Sequence, residues 1–313
     1  HLLTVLEQDQ NAGEVLLADF VSNIHALSLL EKVDFSTFRD VLNSKNQRYG
    51  MLADTVEKNN IFSSEGINTL TGLESDNAFW IWNGGNNIKG GGCNDSYIFM
   101  NDVGRNTIVD NDGDDMILLW DGINEKDVLV NPIFKNGNKN VFDLEVKLTG
   151  YTTEILVKNY RPDHRFYIIF SDGTEKELLD FVSSNEIWTT QELQLIDPDL
   201  NYKIMADIDL SGTDWIPIGT VEKPFTGIIN GNGYTIKNLS VNRGDQNYAG
   251  LFGYSSGIIR NVRLEGVSVI GKDYTGGIAG YSEGILSGVK VEGIERISGG
   301  KYTGGVAGYV EGN

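Results

Sequence analysis

The chain has 313 residues, enough for two or three domains with a sizeable core. Its 44 acidic and 25 basic side chains give a formal net charge of -19, so phosphate backbones and anionic lipid repel it. Nucleic acid is therefore not an expected partner, whereas a divalent cation such as calcium is compatible with this charge. No apolar run in the sequence reaches membrane-spanning length, and the single cysteine, Cys93, excludes an internal disulfide.

The first part of the chain, residues 1–58, predicts a short helical region. Apolar side chains recur at three- and four-residue steps between Leu17 and Leu27, and Asp34 or Ser36 can cap a second helix. We interpret this region as a packing or capping element. Because the chain lacks an initial methionine and ends inside a repeat, we expect it to be a piece of a longer protein.

Residues 59–187 predict short stacked strands followed by longer ones. Asn, Gly and Asp dominate after Asn59, and the apolar pieces between them are only a few residues long. Further along, FDLEVKL alternates apolar and polar side chains as a half-buried strand does, and Asp172-Gly173 suits a tight hairpin turn. These features predict antiparallel strands that close the domain.

The stretch NGGNNIKGGGCNDSYIF resembles the hemolysin-type calcium-binding nonapeptide, Gly-Gly-x-Gly-x-Asp-x-apolar-x, of RTX proteins. The resemblance implies a β-roll whose glycine-rich turns present carbonyl and aspartate oxygens to Ca²⁺. Gly90, Gly91 and Asp95 fit the pattern, but Cys93 occupies its third glycine and Asn87 replaces an aspartate. The candidate metal-site residues are Gly90, Gly91, Asn94, Asp95, Asp110, Asp112, Asp114 and Asp115.

Two interpretations of this RTX-like segment stay open. In one, it is a working β-roll with one or two calcium sites. In the other, it is a degenerate roll that keeps the fold and has lost most of the metal, because a neutral amide and a shifted spacing each weaken a calcium site. Titration with Ca²⁺ distinguishes them.

The last part of the chain, residues 188–313, contains a sequence repeat. The phrases YAGLFGYSSG, YTGGIAGYSEG and YTGGVAGYVEG align on Gly253, Gly280 and Gly308, at spacings of 27 and 28 residues. Such a period indicates units that pack on their neighbours, and Tyr254, Tyr281 and Tyr309 are then expected to stack as a ladder. A helical turn with a threonine cap is predicted at TTQEL.

This last segment resembles the GLUG-motif repeats of large bacterial surface and secreted proteins. The resemblance includes DIDLSGTDWIPIG and FTGIINGNGYTIKNLSV, which precede the repeats. It implies a right-handed parallel β-helix and supplies no catalytic residue. The expected fold is therefore mainly β, with a short helical region, an RTX-like β-roll with antiparallel closing strands, and the β-helix.

The sequence does not indicate an enzyme. Its three histidines are far apart and none has a zinc-type spacing, and no histidine is suggested as a partner for Cys93. We expect a non-catalytic binding or presentation module of a large secreted or surface bacterial RTX-type toxin or adhesin. Its partners are then a host-cell receptor or glycan, or other domains of the same protein. The alternatives are an inert spacer and an enzyme that acts on polysaccharide or peptide along the β-helix groove.

Overall fold

The computed structural model describes residues 52, 55, 58–63, 66–100, 102–110, 112–120, 122–135, 138–161, 164–170 and 172–311. These residues are mainly β, and most strands pair in parallel. They form two compact units, the first from residues 52–133 and 142–182 and the second from residues 134–141 and 183–311. The sequence prediction places the corresponding boundary after residue 187. The helices predicted before residue 52 lie outside the described residues.

The first unit is built from twelve strands in the part of the chain described, and the adjoining ends of the eighth and ninth belong to the second unit. Two short 3-10 helices, Glu125–Asp127 and Leu178–Phe181, accompany them. The strands are β1 (Asn59–Phe62), β2 (Thr69–Thr71), β3 (Asn77–Ile81), β4 (Asn87–Lys89), β5 (Ser96–Phe99), β6 (Arg105–Val109), β7 (Asp114–Leu118), β8 (Val128–Lys135), β9 (Asn138–Leu148), β10 (Glu154–Tyr160), β11 (Arg165–Ile169) and β12 (Glu175–Glu177).

From β1 to β7 the chain of the first unit alternates between two sheets, and β8–β10 and then β11–β12 extend them. Their strand orders are β1-β3-β5-β7-β11-β12 and β2-β4-β6-β10-β9-β8. Phe79 lies opposite Tyr97 and Tyr97 lies opposite Ile117 in parallel register. The predicted antiparallel strands are confirmed, since β9 pairs with β10 and β11 with β12 in antiparallel fashion, the latter pair across the turn at Asp172-Gly173.

The core of the first unit contains a column of aromatic rings. Tyr97 stacks between Phe79 and Phe166, with ring centroids 5.2 Å and 6.0 Å away. Trp80, on the other face of the same sheet, is also fully buried and donates its indole N–H to Asn60 Oδ1 at 2.8 Å. Because β3 is buried on both faces, its run of apolar residues needs no alternation.

The second unit contains one short α-helix and fourteen strands among the described residues. The helix, α1 (Thr190–Gln194), has Thr189 as its N-cap, which confirms the predicted helical turn. The strands are β13 (Asn185–Ile187), β14 (Tyr202–Ile204), β15 (Ile208–Asp209), β16 (Ile228–Asn230), β17 (Thr235–Arg243), β18 (Phe252–Ser255), β19 (Ile258–Arg260), β20 (Arg263–Gly271), β21 (Thr275–Gly276), β22 (Ala279–Ser282), β23 (Ile285–Ser287), β24 (Lys290–Ser298), β25 (Thr303–Gly304) and β26 (Ala307–Val310).

Equivalent strands of successive repeats lie side by side in the second unit. The sheets have the orders β13-β14-β16-β19-β23, β15-β17-β20-β24, β18-β22-β26 and β21-β25, and their pairs are parallel. The backbone N–H of Lys290 donates to the carbonyl of Val262 at 2.9 Å, so Val262 and Val289 lie in adjacent rungs. The repeat found in the sequence is therefore also the pairing unit of the structure.

Apolar side chains from equivalent positions form continuous columns inside this unit. One column runs through Ile208, Ile236, Leu264 and Val291, each opposite the next across a parallel strand pair. Trp215 is fully buried in the same core, and its indole N–H donates to the Leu251 carbonyl at 3.0 Å. A single repeat could not bury such a column, because each apolar side chain packs on the ones above and below it.

The predicted tyrosine ladder is confirmed. The ring of Tyr281 stacks on Tyr254 at 4.7 Å and on Tyr309 at 5.1 Å. The hydroxyl of Tyr254 donates to Glu283 and that of Tyr281 to Glu311, both at 2.5 Å. These bonds link each tyrosine to the acidic residue of the following repeat.

A second tyrosine ladder, which the sequence analysis missed, runs beside the first. Tyr274 stacks on Tyr248 at 5.0 Å and on Tyr302 at 4.8 Å. All three residues have a left-handed backbone, with φ of 66° at Tyr248, 58° at Tyr274 and 59° at Tyr302. A tyrosine rarely adopts this conformation, so the packing of neighbouring repeats must hold it in place.

Candidate metal centre

Three carboxylates converge inside the first unit, at Asp95, Asp110 and Asp115. One oxygen from each lies within 4.8 Å of the others. Their exposed fractions are 0%, 3% and 1%. Asp95 immediately precedes β5, Asp110 follows β6 and Asp115 lies within β7, so both sheets of the unit contribute to the cluster.

Asp95 and Asp115 are successive members of a ladder of Asn and Asp side chains. Asn59 donates its side-chain N–H to Asn77 Oδ1 at 2.9 Å. The backbone N–H of Asn77 donates to Asp95 Oδ1 at 2.7 Å, and that of Asp95 donates to Asp115 Oδ1 at 2.8 Å. Each side-chain oxygen thus accepts the N–H of the preceding rung, and this regular bonding draws two carboxylates into the interior.

Asp110 enters the cluster from the other sheet and is held by an aromatic residue. The hydroxyl of Tyr97 donates to Asp110 Oδ2 at 2.5 Å. Gly90 lies against both groups, because a Cβ at this position would collide with the carboxylate of Asp110 and the hydroxyl of Tyr97. The glycine that fits the RTX pattern therefore makes room for the triad.

Burial dominates the electrostatics of the triad. Burial, with a smaller contribution from the nearby charge of Asp110, raises the pKa of Asp95 to about 7 and that of Asp115 to about 9. Within the part of the chain that the structure describes, Asp95 Oδ2 and Asp115 Oδ2 are buried without a hydrogen-bond partner. A buried carboxylate oxygen in this position is stable only with a proton or a cation beside it.

The chemistry of the triad fits a hard divalent cation. All of its donors are oxygens, the class of ligand that Ca²⁺ takes, and two of those oxygens have no hydrogen-bond partner in the described chain. A bound Ca²⁺ would offset the repulsion among three buried negative charges, which a proton on one carboxyl relieves only in part. Asp95, Asp110 and Asp115 are the residues that would hold it.

The remaining predicted metal-site residues have other contacts. Asn94 Oδ1 accepts the backbone N–H of Asp114 at 2.9 Å, and the Asp114 carboxylate pairs with Arg165 at 3.1 Å. The side chain of Asp112 is 79% exposed, and Gly91 has φ of 115° in the turn before β5. The structure therefore brings together Asp95, Asp110, Asp115 and Gly90 from the predicted set and places the other four residues outside the triad.

Asn77 is a partner of the triad that the sequence analysis did not single out. Its side-chain N–H donates to Asp95 Oδ1 at 2.9 Å, in addition to its backbone bond. The signal was the 18-residue step from Asn59 to Asn77 to Asp95, which is twice the nonapeptide length. Aligning the sequence at a spacing of 18 residues, and not at nine, shows which Asn and Asp residues belong to the same ladder.

Cys93 has a backbone conformation that favours glycine, with φ of 70°. This is the position where the RTX pattern has its third glycine, and the cysteine side chain is exposed. We expect Cys93→Gly to raise the free energy of unfolding by up to about 1 kcal/mol, because a left-handed L-residue costs about 1–2 kcal/mol and glycine costs part of that in chain entropy.

Urea unfolding of the Cys93→Gly and Cys93→Ala variants measures this effect. Alanine keeps the strain and serves as the control for loss of the thiol. A Cys93→Gly variant less stable than Cys93→Ala would contradict the assignment of strain to this turn.

Comparisons with known proteins give two partial relatives. A Gly-rich membrane protein of Evansella cellulosilytica is 43% identical over 74 residues, which cover 21% of this chain and 9% of that protein. Halomucin of Haloquadratum walsbyi is 37% identical over 111 residues, which cover 30% of this chain and 1% of halomucin. No protein-family profile and no solved structure matches the chain.

The matched part of the chain spans only a small share of either relative's length. None of the helices in the described residues is long and apolar enough to cross a membrane.

Proposed function

We propose that this chain is a binding and presentation segment of a much longer secreted or surface protein of the RTX toxin or adhesin type. In this proposal the first unit is an RTX-like β-roll and the second is a right-handed parallel β-helix of GLUG-type repeats. The observation that carries it is the residue-by-residue parallel pairing of repeats 27 and 28 residues apart, from Tyr254 to Tyr281 to Tyr309. Such stacking extends one surface over many repeats, which suits attachment along an extended partner.

The partial relatives support a segment of this kind. One is described as a membrane protein, and both are far longer than the region they share with this chain. The acidic composition supports an extracellular surface where divalent cations are plentiful. The partner we propose is a receptor or glycan on a host cell or another surface.

The attachment role is tested with the intact chain coupled to fluorescent beads through the exposed thiol of Cys93. Beads that carry an unrelated protein of similar net charge are the control. We expect the chain to give several-fold more cell-associated beads than the control. If beads bind no cell type above the control, the attachment role is wrong.

We further propose that the buried triad binds Ca²⁺ and that the first unit is a working β-roll. Support comes from the two buried oxygens without hydrogen-bond partners and from the oxygen-only donor set. Isothermal titration of the intact chain with CaCl₂ at pH 8 should show saturable heat. Absence of heat at millimolar calcium would favour the degenerate roll instead.

A further inference from the structure

The second unit has an open cavity whose most exposed large side chain is a tryptophan. The cavity has a volume of about 640 Å³, and Trp188 lies at its edge with 51% of its surface exposed. Asp207 and Asp209 also line the cavity, and Gln191 and Ser211 are among its other polar lining residues. These residues come from α1, from β15 and from the loops that flank them, so the cavity lies wholly within the second unit.

The Trp188 ring is fixed in place although it is exposed. Its indole N–H donates to Glu186 Oε2 at 3.1 Å, and its backbone N–H donates to Glu192 Oε2 at 2.7 Å. Glu192 in turn belongs to the capping box of α1, together with Thr189. An aromatic ring whose edge is held by a hydrogen bond offers its face to a ligand with less loss of side-chain entropy.

The polar wall is also pre-organised. Asp209 Oδ1 accepts the backbone N–H of Ser211 and the side-chain N–H of Asn238, both at 2.9 Å. Asp207 accepts the backbone N–H of Thr235 at 2.9 Å and pairs with Lys237 at 2.8 Å. Two fixed carboxylates therefore line the cavity together with Trp188, and Lys237 balances the charge of one of them.

This combination matches the chemistry of a sugar ring. A pyranose has an apolar face of C–H groups that stacks on an indole, and hydroxyls around its rim that donate to carboxylates and amides. Carboxylates accept hydrogen bonds but repel an anionic ligand, so sulfated, sialylated and uronic-acid glycans are disfavoured. A cationic peptide is a weaker fit, because a single exposed ring gives little cation–π attraction and Lys237 already neutralises Asp207.

We propose that the cavity at Trp188 is a binding site for a neutral sugar residue of a glycan. The proposal rests on the attachment role above and names its ligand class. Trp188 supplies the stacking face, and Asp209, Gln191 and Ser211 supply the acceptors and donors for the hydroxyls. The site selects neutral glycans against acidic ones of the same backbone.

The test uses the intact chain on an array that pairs neutral oligosaccharides with sulfated or sialylated forms of the same backbone. We compare the native chain with Trp188→Ala, Trp188→Phe and Leu195→Ala. Leu195 is the matched control, since it is 81% exposed near the end of α1 and is absent from the cavity lining. Basic peptides on the same array test the rival ligand class.

We expect the native chain to bind neutral glycans about tenfold or more above their acidic forms. Trp188→Ala should weaken that binding by about tenfold, the worth of one stacking contact. Trp188→Phe, which keeps a flat apolar face, should retain much of the binding, and Leu195→Ala should change it less than about twofold.

Four results overturn the proposal: no glycan binding by the native chain, equal binding of acidic forms, equal binding by Trp188→Ala, or binding of basic peptides alone. The glycan site and the attachment role can fail independently of each other. If beads bind cells and Trp188→Ala beads bind equally well, the glycan site is wrong and attachment stands. If the native chain binds neutral glycans but no cells, the site stands and attachment fails.

Discussion

Replacing Asp115 with asparagine should stabilise the calcium-free protein at neutral and alkaline pH by about 1–3 kcal/mol, the cost of a buried polar group without a partner. An asparagine keeps the Oδ1 that accepts the N–H of Asp95, and its new N–H can donate to the buried Asp95 Oδ2. An amide is already accommodated beside Asp95, since the side chain of Asn77 in the preceding rung donates to Asp95 Oδ1 at 2.9 Å. At alkaline pH, where Asp115 would lose its proton, the same change also removes one of three mutually repelling carboxylates.

The pH dependence of the native protein has a definite sign. The pKa of Asp95 is raised to about 7 and that of Asp115 to about 9, from an ordinary value of 3.8. At a pH between the unfolded and the folded pKa, each of these two carboxyls is protonated in the folded protein and ionised in the unfolded chain. The free energy of unfolding therefore falls as pH rises from about 4 to about 9. Asp115→Asn should flatten most of this slope, because the carboxyl with the higher pKa is gone.

Urea unfolding in EDTA at pH 5 and pH 8 measures both effects. Asp114→Asn is the matched control, because Asp114 is adjacent in sequence but lies at the surface, paired with Arg165. Loss of that exposed pair should cost less than about 1 kcal/mol and leave the pH slope unchanged. Equal stability of the native protein at both pH values would show that the triad does not titrate in this range.

Calcium should reverse the pH trend if the triad binds it. At pH 8 calcium displaces the carboxyl protons into the solvent, and calcium at about 100 times its Kd should add about 2.7 kcal/mol to the free energy of unfolding. At pH 5 protons compete and the gain should be smaller. Calcium that stabilises Asp115→Asn as much as the native protein would place the metal elsewhere.

The sequence predicts the repeat architecture better than the site, for a physical reason. A repeat signals its pairing partner directly, because equivalent residues at 27- and 28-residue steps must lie opposite one another in parallel strands. The ladder of Tyr254, Tyr281 and Tyr309 follows from that spacing alone. The ladder of Tyr248, Tyr274 and Tyr302 was missed although these tyrosines begin the three aligned phrases and their spacing was visible. What the sequence does not show is the left-handed backbone that all three share.

The candidate site required a distinction between adjacent acidic residues. Asp114 and Asp115 are equivalent in composition, but side chains in a strand alternate between faces, so only one of them can share a face with Ile117. The structure shows Asp115 buried with Ile117 and Asp114 exposed. Because Asp115 stands two residues before the apolar Ile117 of β7, the sequence could have placed Asp115, and not Asp114, on the buried face. Convergence of Asp110 from the other sheet could not be predicted, since it depends on how the two sheets face each other.

The second large effect concerns the glycine that recurs in the repeat. We expect Gly280→Ala to cost about 2–4 kcal/mol, at or above the usual range for overpacking, because the obstruction is backbone and not a movable side chain. A Cβ on Gly280 would lie 2.6 Å from the Cα of Tyr248 and 2.6 Å from the carbonyl oxygen of Tyr274. Both tyrosines have the left-handed backbone that turns the chain across this glycine.

The matched control is a glycine of the next repeat with open space around it. A Cβ on Gly305 would meet only Ile294 Cδ1, at 3.5 Å, which is ordinary van der Waals contact. Gly305→Ala should therefore be neutral or slightly stabilising, because alanine loses less chain entropy on folding.

Hydrogen exchange by mass spectrometry locates the effect within the chain. In Gly280→Ala, amides between residues 248 and 310 should lose protection, whereas those of the first unit keep theirs. The two tyrosine ladders depend on the same close approach, so the near-ultraviolet circular dichroism of stacked tyrosines should weaken together with the protection. Equal amide protection in Gly280→Ala and Gly305→Ala would show that the close backbone contact at Gly280 does not require glycine. The recurrence of this glycine would then need another explanation.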